Sequence, residues 1–214
     1  MQVALKQIIV APGTQLLLKD VSWQQLQEIL TNLGESRSAR ISYSKGMLEI
    51  MVPLPEHEDD KVIIGNLVEA ILEEMDIEFR SLGSTTFENE KMAAAKEPDD
   101  CFYIQNEAKI RGKRRLDLTV DPPPDLAIEI DITSRTRLNS YQDLGVAEFW
   151  RYDGSKLEIN ILQAGKYIRS NQSSNFPKLP IIEVIPEYLE RSKVIGRNAT
   201  MKIFRAWLRE QLAG

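Results

Sequence analysis

Apolar positions along this chain switch between helical and extended spacing, and each change of period marks out an element. Ser22 to Asn32 (SWQQLQEILTN) puts Trp23, Leu26 and Ile29/Leu30 on one helical face behind a Ser cap, and Gly34 closes it. That spacing predicts a short amphipathic helix. ARISYSKGMLEIMVP alternates instead: Ile41 and Tyr43, a turn at Ser44 to Gly46, then Leu48, Ile50 and Val52, a hairpin ended by Pro53 and Pro55. Residues 56 to 75 return to the helical period with Val62, Ile63, Leu67, Val68, Ile71, Leu72 and Met75, and acids crowd the first turn where the helix dipole favours them.

Beyond that helix, IEFRSLGSTTFENE reads as one or two strands broken at Gly83, and EPDDCFYI as a strand entered through Pro98. A polar stretch, Gln105 to Arg115, precedes Leu116 to Val120. Next comes PPPDLAIEIDITS (122 to 134), then a short helix over Arg137 to Leu144 ended by Gly145. EFWRYDGSKLEINIL is a hairpin turning at Asp153-Gly154, and closing helices are expected at Glu187 to Lys193 and Thr200 to Gln211. With no repeats and no low-complexity tract, this order predicts one α/β or α+β domain over 1–214 with a mixed central sheet.

Composition narrows the class. Hydrophobic residues at 43% and charged residues at 28% are globular values, and no apolar run approaches the ~20 residues of a bilayer span. A soluble protein without membrane partners is expected. The first residues lack the features of an export signal, and a single cysteine, Cys101, excludes an intrachain disulfide and suits a reducing compartment. The cytoplasm is therefore the expected location. A net charge of −5 argues against a generally basic nucleic-acid binder, so phosphate contacts must come from local patches or from metal ions.

The segment richest in chemistry is PPPDLAIEIDITS. Alternation puts Leu126, Ile128, Ile130 and Ile132 on one face and Asp125, Ala127, Glu129 and Asp131 on the other. The acids share a side of a strand that reads as central, because even the intervening Ala127 is small and apolar. Burying ionised carboxylates without partners costs several kcal/mol each, so they need a cation, a proton or a donor, and a divalent metal would satisfy them. The competing reading is a strand end meeting solvent, where Asp131 and Ser134 open a loop. Asp99 and Asp100 in EPDD form a second candidate; alone they are turn formers, whereas beside Glu129 they complete an arrangement in which adjacent strands share a metal ion.

His57, the only histidine, sits between Glu56 and Glu58 and reads either as a cap or packing residue or as a ligand. KIRGKRR holds five basic residues in seven, Lys109, Arg111, Lys113, Arg114 and Arg115, which either grip a phosphate backbone or form a solvated loop. Cys101 and the three tryptophans read as packing residues.

Four blocks taken together, LEIMVPLPEHE, EPDDCFYI, PPDLAIEI and YQDLGVAEFW, resemble the restriction-endonuclease-like nucleases of the PD-(D/E)XK superfamily. Within it the chain is most similar to a large bacterial endonuclease family long catalogued as a domain of unknown function. The resemblance covers about residues 40 to 165. It implies a mixed central sheet flanked by helices, with Asp99 as the motif aspartate and Glu129 as the motif glutamate, both of them metal ligands. It also raises the share of His57 as a ligand through the EHE block.

The chain departs from the pattern where a lysine should follow: Glu129 and Ile130 are succeeded by Asp131. That lysine normally orients and deprotonates the attacking water and stabilises transition-state charge. Two readings stay open: a base from elsewhere, with Lys91, Arg135 and Arg137 as candidates, or Asp131 as a further acidic ligand. Related members carry a basic residue at the place of Arg137, which as a guanidinium could act only electrostatically.

The expected function is then a Mg2+- or Mn2+-dependent DNA endonuclease, with a homodimer as the simplest way to cut both strands. The alternative is a catalytically inactive nuclease-like fold that binds DNA or a protein. Hydrolysis of another phosphate ester at the same site is a third reading, because fold likeness does not fix substrate.

Overall fold

The computed structural model describes residues 11–34, 39–131 and 139–213. In chain order its strands are β1 (Gln15–Leu18), β2 (Arg40–Ser44), β3 (Met47–Met51), β4 (Arg80–Ser81), β5 (Phe87–Asn89), β6 (Ala94–Lys96), β7 (Asp100–Tyr103), β8 (Leu126–Ile130), β9 (Glu148–Tyr152), β10 (Leu157–Gln163) and β11 (Lys166–Ser170). The helices are α1 (Trp23–Leu33), α2 (Pro55–Glu74), α3 (Glu107–Ile110), α4 (Asn139–Leu144), α5 (Ile181–Ile195) and α6 (Arg197–Ala213).

The expected mixed sheet is present, with six strands in the order β11-β10-β9-β8-β7-β4, parallel at β8–β9 and antiparallel elsewhere. A second, antiparallel sheet of five strands, β1-β3-β2-β6-β5, was not foreseen. The β2–β3 hairpin belongs to this second sheet and turns at Lys45 and Gly46, both at positive φ, which is the conformation a two-residue hairpin loop requires. Cap chemistry sets the start of α1: Gln25 N–H donates to Ser22 Oγ at 3.2 Å while Ser22 N–H donates to Gln25 Oε1 at 2.8 Å.

Alternation in β8 divides the core. Leu126, Ile128 and Ile130 pack with apolar residues of α2, α5 and α6, while Ala127 packs on the opposite face with Cys101, Tyr103, Tyr141 and Phe149. A third cluster joins α1, through Leu26 and Ile29, to the five-stranded sheet. Among the described residues no helix is long and apolar enough to cross a membrane.

The two closing helices exist but are longer than expected. The expected start at Glu187 falls inside α5, which begins at Ile181 and runs through Pro186, with Ile181, Val184 and Ile185 buried ahead of it. Strands β1, β6 and β11 escaped the pattern, and Leu116 to Val120 forms turns.

Close approach of α2 to β7 has a consequence for pH. A Cβ at Gly65 would lie 2.5 Å from Asp100 Oδ2, so only glycine lets the helix sit this close. Burial raises Asp100 from 3.8 to about 6, against the hydrogen bond from Cys101 N–H and the charge of Lys61. A carboxyl whose folded pKa is raised contributes stability that is present below its unfolded pKa and lost as pH rises through about 6. A difference of about two units corresponds to roughly 3 kcal/mol. Asp100→Asn, which keeps the acceptor for Cys101, is therefore expected to gain about 2–3 kcal/mol more over wild type at pH 7 than at pH 4 in urea unfolding. A gain that does not change with pH would contradict this.

Candidate active site

Asp99 stands one residue before β7. The β7–β8 register pairs Asp100 with Ile128, which carries Asp99 opposite Glu129 on the same face. The two carboxylates thus stand side by side at the β7–β8 pairing, and both are buried, at 0% and 3% exposure. Asp99 Oδ2 accepts a hydrogen bond from Ile130 N–H at 2.8 Å and lies 3.1 Å from His57 Nε2 of α2. Asp99 Oδ1 is 3.7 Å from Arg40 Nε and has no hydrogen-bond partner among the described residues.

Glu129 is held by groups from two other elements, β6 and α4. Lys96, the last residue of β6, places Nζ 2.8 Å from Glu129 Oε1, and it is itself only 5% exposed. Tyr141 of α4 donates its hydroxyl proton to the same oxygen, and its ring centroid lies 5.3 Å from Lys96 Nζ. Ser42 of β2 pairs with both Lys96 and Glu49, so these two side chains share a row across the five-stranded sheet. Asp143, two residues after Tyr141 on α4, accepts from Ser44 Oγ and Lys45 Nζ at 3.1 Å each, which ties the helix carrying Tyr141 to the β2–β3 turn.

Electrostatics divide the carboxylate pair. Burial would raise Asp99, but the hydrogen bond and charge of His57, the Ile130 N–H and the hydrogen bond with Glu129 hold it below its ordinary value. Glu129 is pushed well up by burial, with Lys96 opposing and the charges of Asp99 and Asp131 adding. Two acids at one place with opposite shifts is the pattern of carboxylates that share a proton or a cation. Burial alone would lower Lys96, yet Glu129, Glu49 and Asp99 together raise it, so its ammonium stays charged. His57 is likewise lowered by burial and raised further by Asp99 and Glu58.

A buried carboxylate oxygen that accepts no hydrogen bond among the described residues, beside a second carboxylate, suits a hard cation. Among the described residues no three His, Cys, Asp or Glu side chains surround a common point. Asp99 and Glu129 therefore form the fitting donor pair, and a small divalent ion, which keeps several waters, would complete its shell from solvent or substrate.

The other expected site residues lie apart from this pair. Asp131 has its carboxylate 4.0 Å from Arg151 Nε, and its charge acts on Glu129 from there. Asp125, on the same strand face, accepts from the N–H groups of Ile104 at 2.7 Å and Asn106 at 2.9 Å, an architectural task. The three acids on one face thus hold three different partners. Lys91 is exposed on a turn at Glu90–Met92. Arg135 and Arg137 lie outside the described residues.

In the basic run, Lys109 donates to Asn106 Oδ1 at 2.7 Å, Arg111 Nε to Glu107 Oε1 at 2.9 Å, and Lys113 pairs with Asp121. Arg114 and Arg115 are exposed.

Lys96, Glu49 and Tyr141 were not among the expected site residues. The lysine was sought two residues after Glu129, where the superfamily pattern puts it, but the structure brings one in three residues before Asp99. The signal was there in AAAKEPDD: a lysine at the end of an apolar run has to bury its charge beside an acid.

A structure comparison finds a protein from Anabaena variabilis ATCC 29413, described as a "putative nuclease belonging to DUF820". It shares 15% identity at a TM-score of 0.51, over 77% of this chain and 98% of that one, which is a likeness of fold. No curated protein gives a significant match. A family model described as "Putative restriction endonuclease" matches residues 23–192, a span that holds Lys96, Asp99, Glu129 and Tyr141. Since that match covers most of the chain, the protein belongs to the Uma2 family of the restriction-endonuclease-like superfamily.

Proposed function

We propose that this chain is a divalent-metal-dependent endonuclease that hydrolyses DNA phosphodiester bonds. The observation that carries this reading is the buried Asp99–Glu129 pair with the Lys96 ammonium 2.8 Å from Glu129. Magnesium or manganese fits two carboxylates, and when bound it supplies Lewis-acid charge for the scissile phosphate. Asp99 is fixed for this by Ile130 N–H and His57, and Glu129 is oriented by Tyr141 and Lys96. Water adds to phosphorus, the bond to the leaving oxygen breaks, and the products are a phosphate-bearing end and a hydroxyl end. Lys96, buried and charged, stabilises the negative charge that grows on the phosphate oxygens.

The inactive alternative drew its support from the lysine missing after Glu129, and Lys96 supplies that charge from β6. The test is incubation with supercoiled plasmid and Mn2+. Wild type is expected to nick, and Asp99→Asn, close in shape to the native residue, is expected to lose at least ~100-fold in rate. Nicking by Asp99→Asn at the wild-type rate, or none by wild type, would refute the proposal.

A further inference from the structure

The basic run divides into a bound half and a free half. Lys109, Arg111 and Lys113 are engaged by Asn106, Glu107 and Asp121, so much of their capacity is spent inside the protein. Arg114 and Arg115 are exposed and have no hydrogen-bond or ion-pair partner among the described residues. Both line a cleft of about 560 Å3 together with Leu82, Thr85 and Thr86 of the segment between β4 and β5.

Arg80 anchors this cleft. Its Nη1 and Nη2 donate to the carbonyl oxygens of Ile110 at 2.8 Å and Lys113 at 2.9 Å, which fixes the loop that presents the two arginines. It does so with carbonyl partners, so its own positive charge remains in the wall. The two acids of the lining are likewise bonded to neutral donors, Glu97 accepting from Ile41 N–H at 3.1 Å and from the Thr86 hydroxyl and Glu88 from Gln27 at 2.5 Å, so their charges also remain; Arg80, Lys113, Arg114 and Arg115 outnumber them in the lining. Glu97 lies two residues from Asp99, so the cleft adjoins the carboxylate pair along the chain.

We infer that this cleft, and not the whole basic run, is where a DNA strand is gripped beside the catalytic pair. Two unpaired guanidiniums provide bidentate donors for phosphate oxygens, the preset loop spares ordering cost, and the volume is that of a ligand pocket. The inference rests on the nuclease reading for its choice of ligand, and it goes beyond that reading by assigning phosphate contact to Arg114 and Arg115 and excluding Lys109 and Arg111.

The experiment is fluorescence anisotropy of a short fluorescein-labelled DNA duplex in EDTA, over a salt series, with full-length protein. Arg114→Ala/Arg115→Ala is expected to weaken binding by at least ~10-fold and to flatten the log–log salt slope by about 1.8, the share of two phosphate contacts on duplex DNA. Lys109→Ala/Arg111→Ala, an exposed control pair, is expected to stay within about twofold of wild type. Equal losses in both pairs would overturn the inference in favour of diffuse attraction, as would wild-type binding by the first pair or no binding by wild type. Plasmid nicking with Mn2+ is read in parallel. Cleft-dependent binding without nicking sinks the nuclease reading and leaves the cleft standing, while nicking with cleft-independent binding does the reverse.

Discussion

Glu129→Ala is expected to lower the unfolding free energy by about 3–5 kcal/mol, an effect far larger than truncation of a carboxylate at a solvated surface would bring. The reason lies in what is left behind. Lys96 is 5% exposed and its ammonium is bonded to Glu129 Oε1; without that acid it is a buried charge left with the Tyr141 ring and the more distant fields of Glu49 and Asp99. Removing one partner of a buried pair costs more than removing both. Lys96→Met/Glu129→Leu should therefore recover most of the loss while remaining inactive. Urea unfolding of the three proteins checks this, and a single variant within about 1 kcal/mol of wild type would mean that Lys96 and Glu129 do not depend on each other.

Lys96→Met is expected to cut the rate of plasmid nicking by about 100- to 1,000-fold with a smaller effect on stability. Here the asymmetry runs the other way. Glu129, already pushed well up by burial, takes a proton when its cation is removed and so avoids the cost of an unpaired charge. What disappears is a fixed positive charge beside the reacting phosphate. Lys96→Arg is not expected to rescue, because a planar guanidinium replaces a compact ammonium in a fully enclosed place between Glu129 and the Tyr141 ring. Nicking by Lys96→Met within about threefold of wild type would remove Lys96 from the catalytic group.

Much of this fold was legible because its central elements obey simple periods. The stripe of Val62 to Met75 marked α2, the strict alternation of Leu126 to Ile130 marked β8 as central, and Asp153-Gly154 marked the β9–β10 hairpin. The elements that escaped lack such signals. Residues Ala94–Lys96 form β6 without a single β-branched or aromatic side chain, and they pair as a strand because β2 and β5 present edges on either side. That miss concealed the lysine, since Lys96 reaches Glu129 only through the pairing of β6 into the second sheet. Side-chain alternation correctly grouped Asp125, Glu129 and Asp131, but it could not foresee that Asp125 caps a turn and Asp131 faces Arg151. Those partners come from elsewhere in the chain, and tertiary contacts alone bring them in.

The most direct test of the account is a calorimetric titration of Mn2+ into wild type and into Asp99→Asn, with circular dichroism confirming that both are folded. The account predicts binding by wild type that is lost in the variant, because Asp99 brings the buried oxygen that accepts no hydrogen bond among the described residues. Equal binding by the two proteins, or none by wild type, would contradict it.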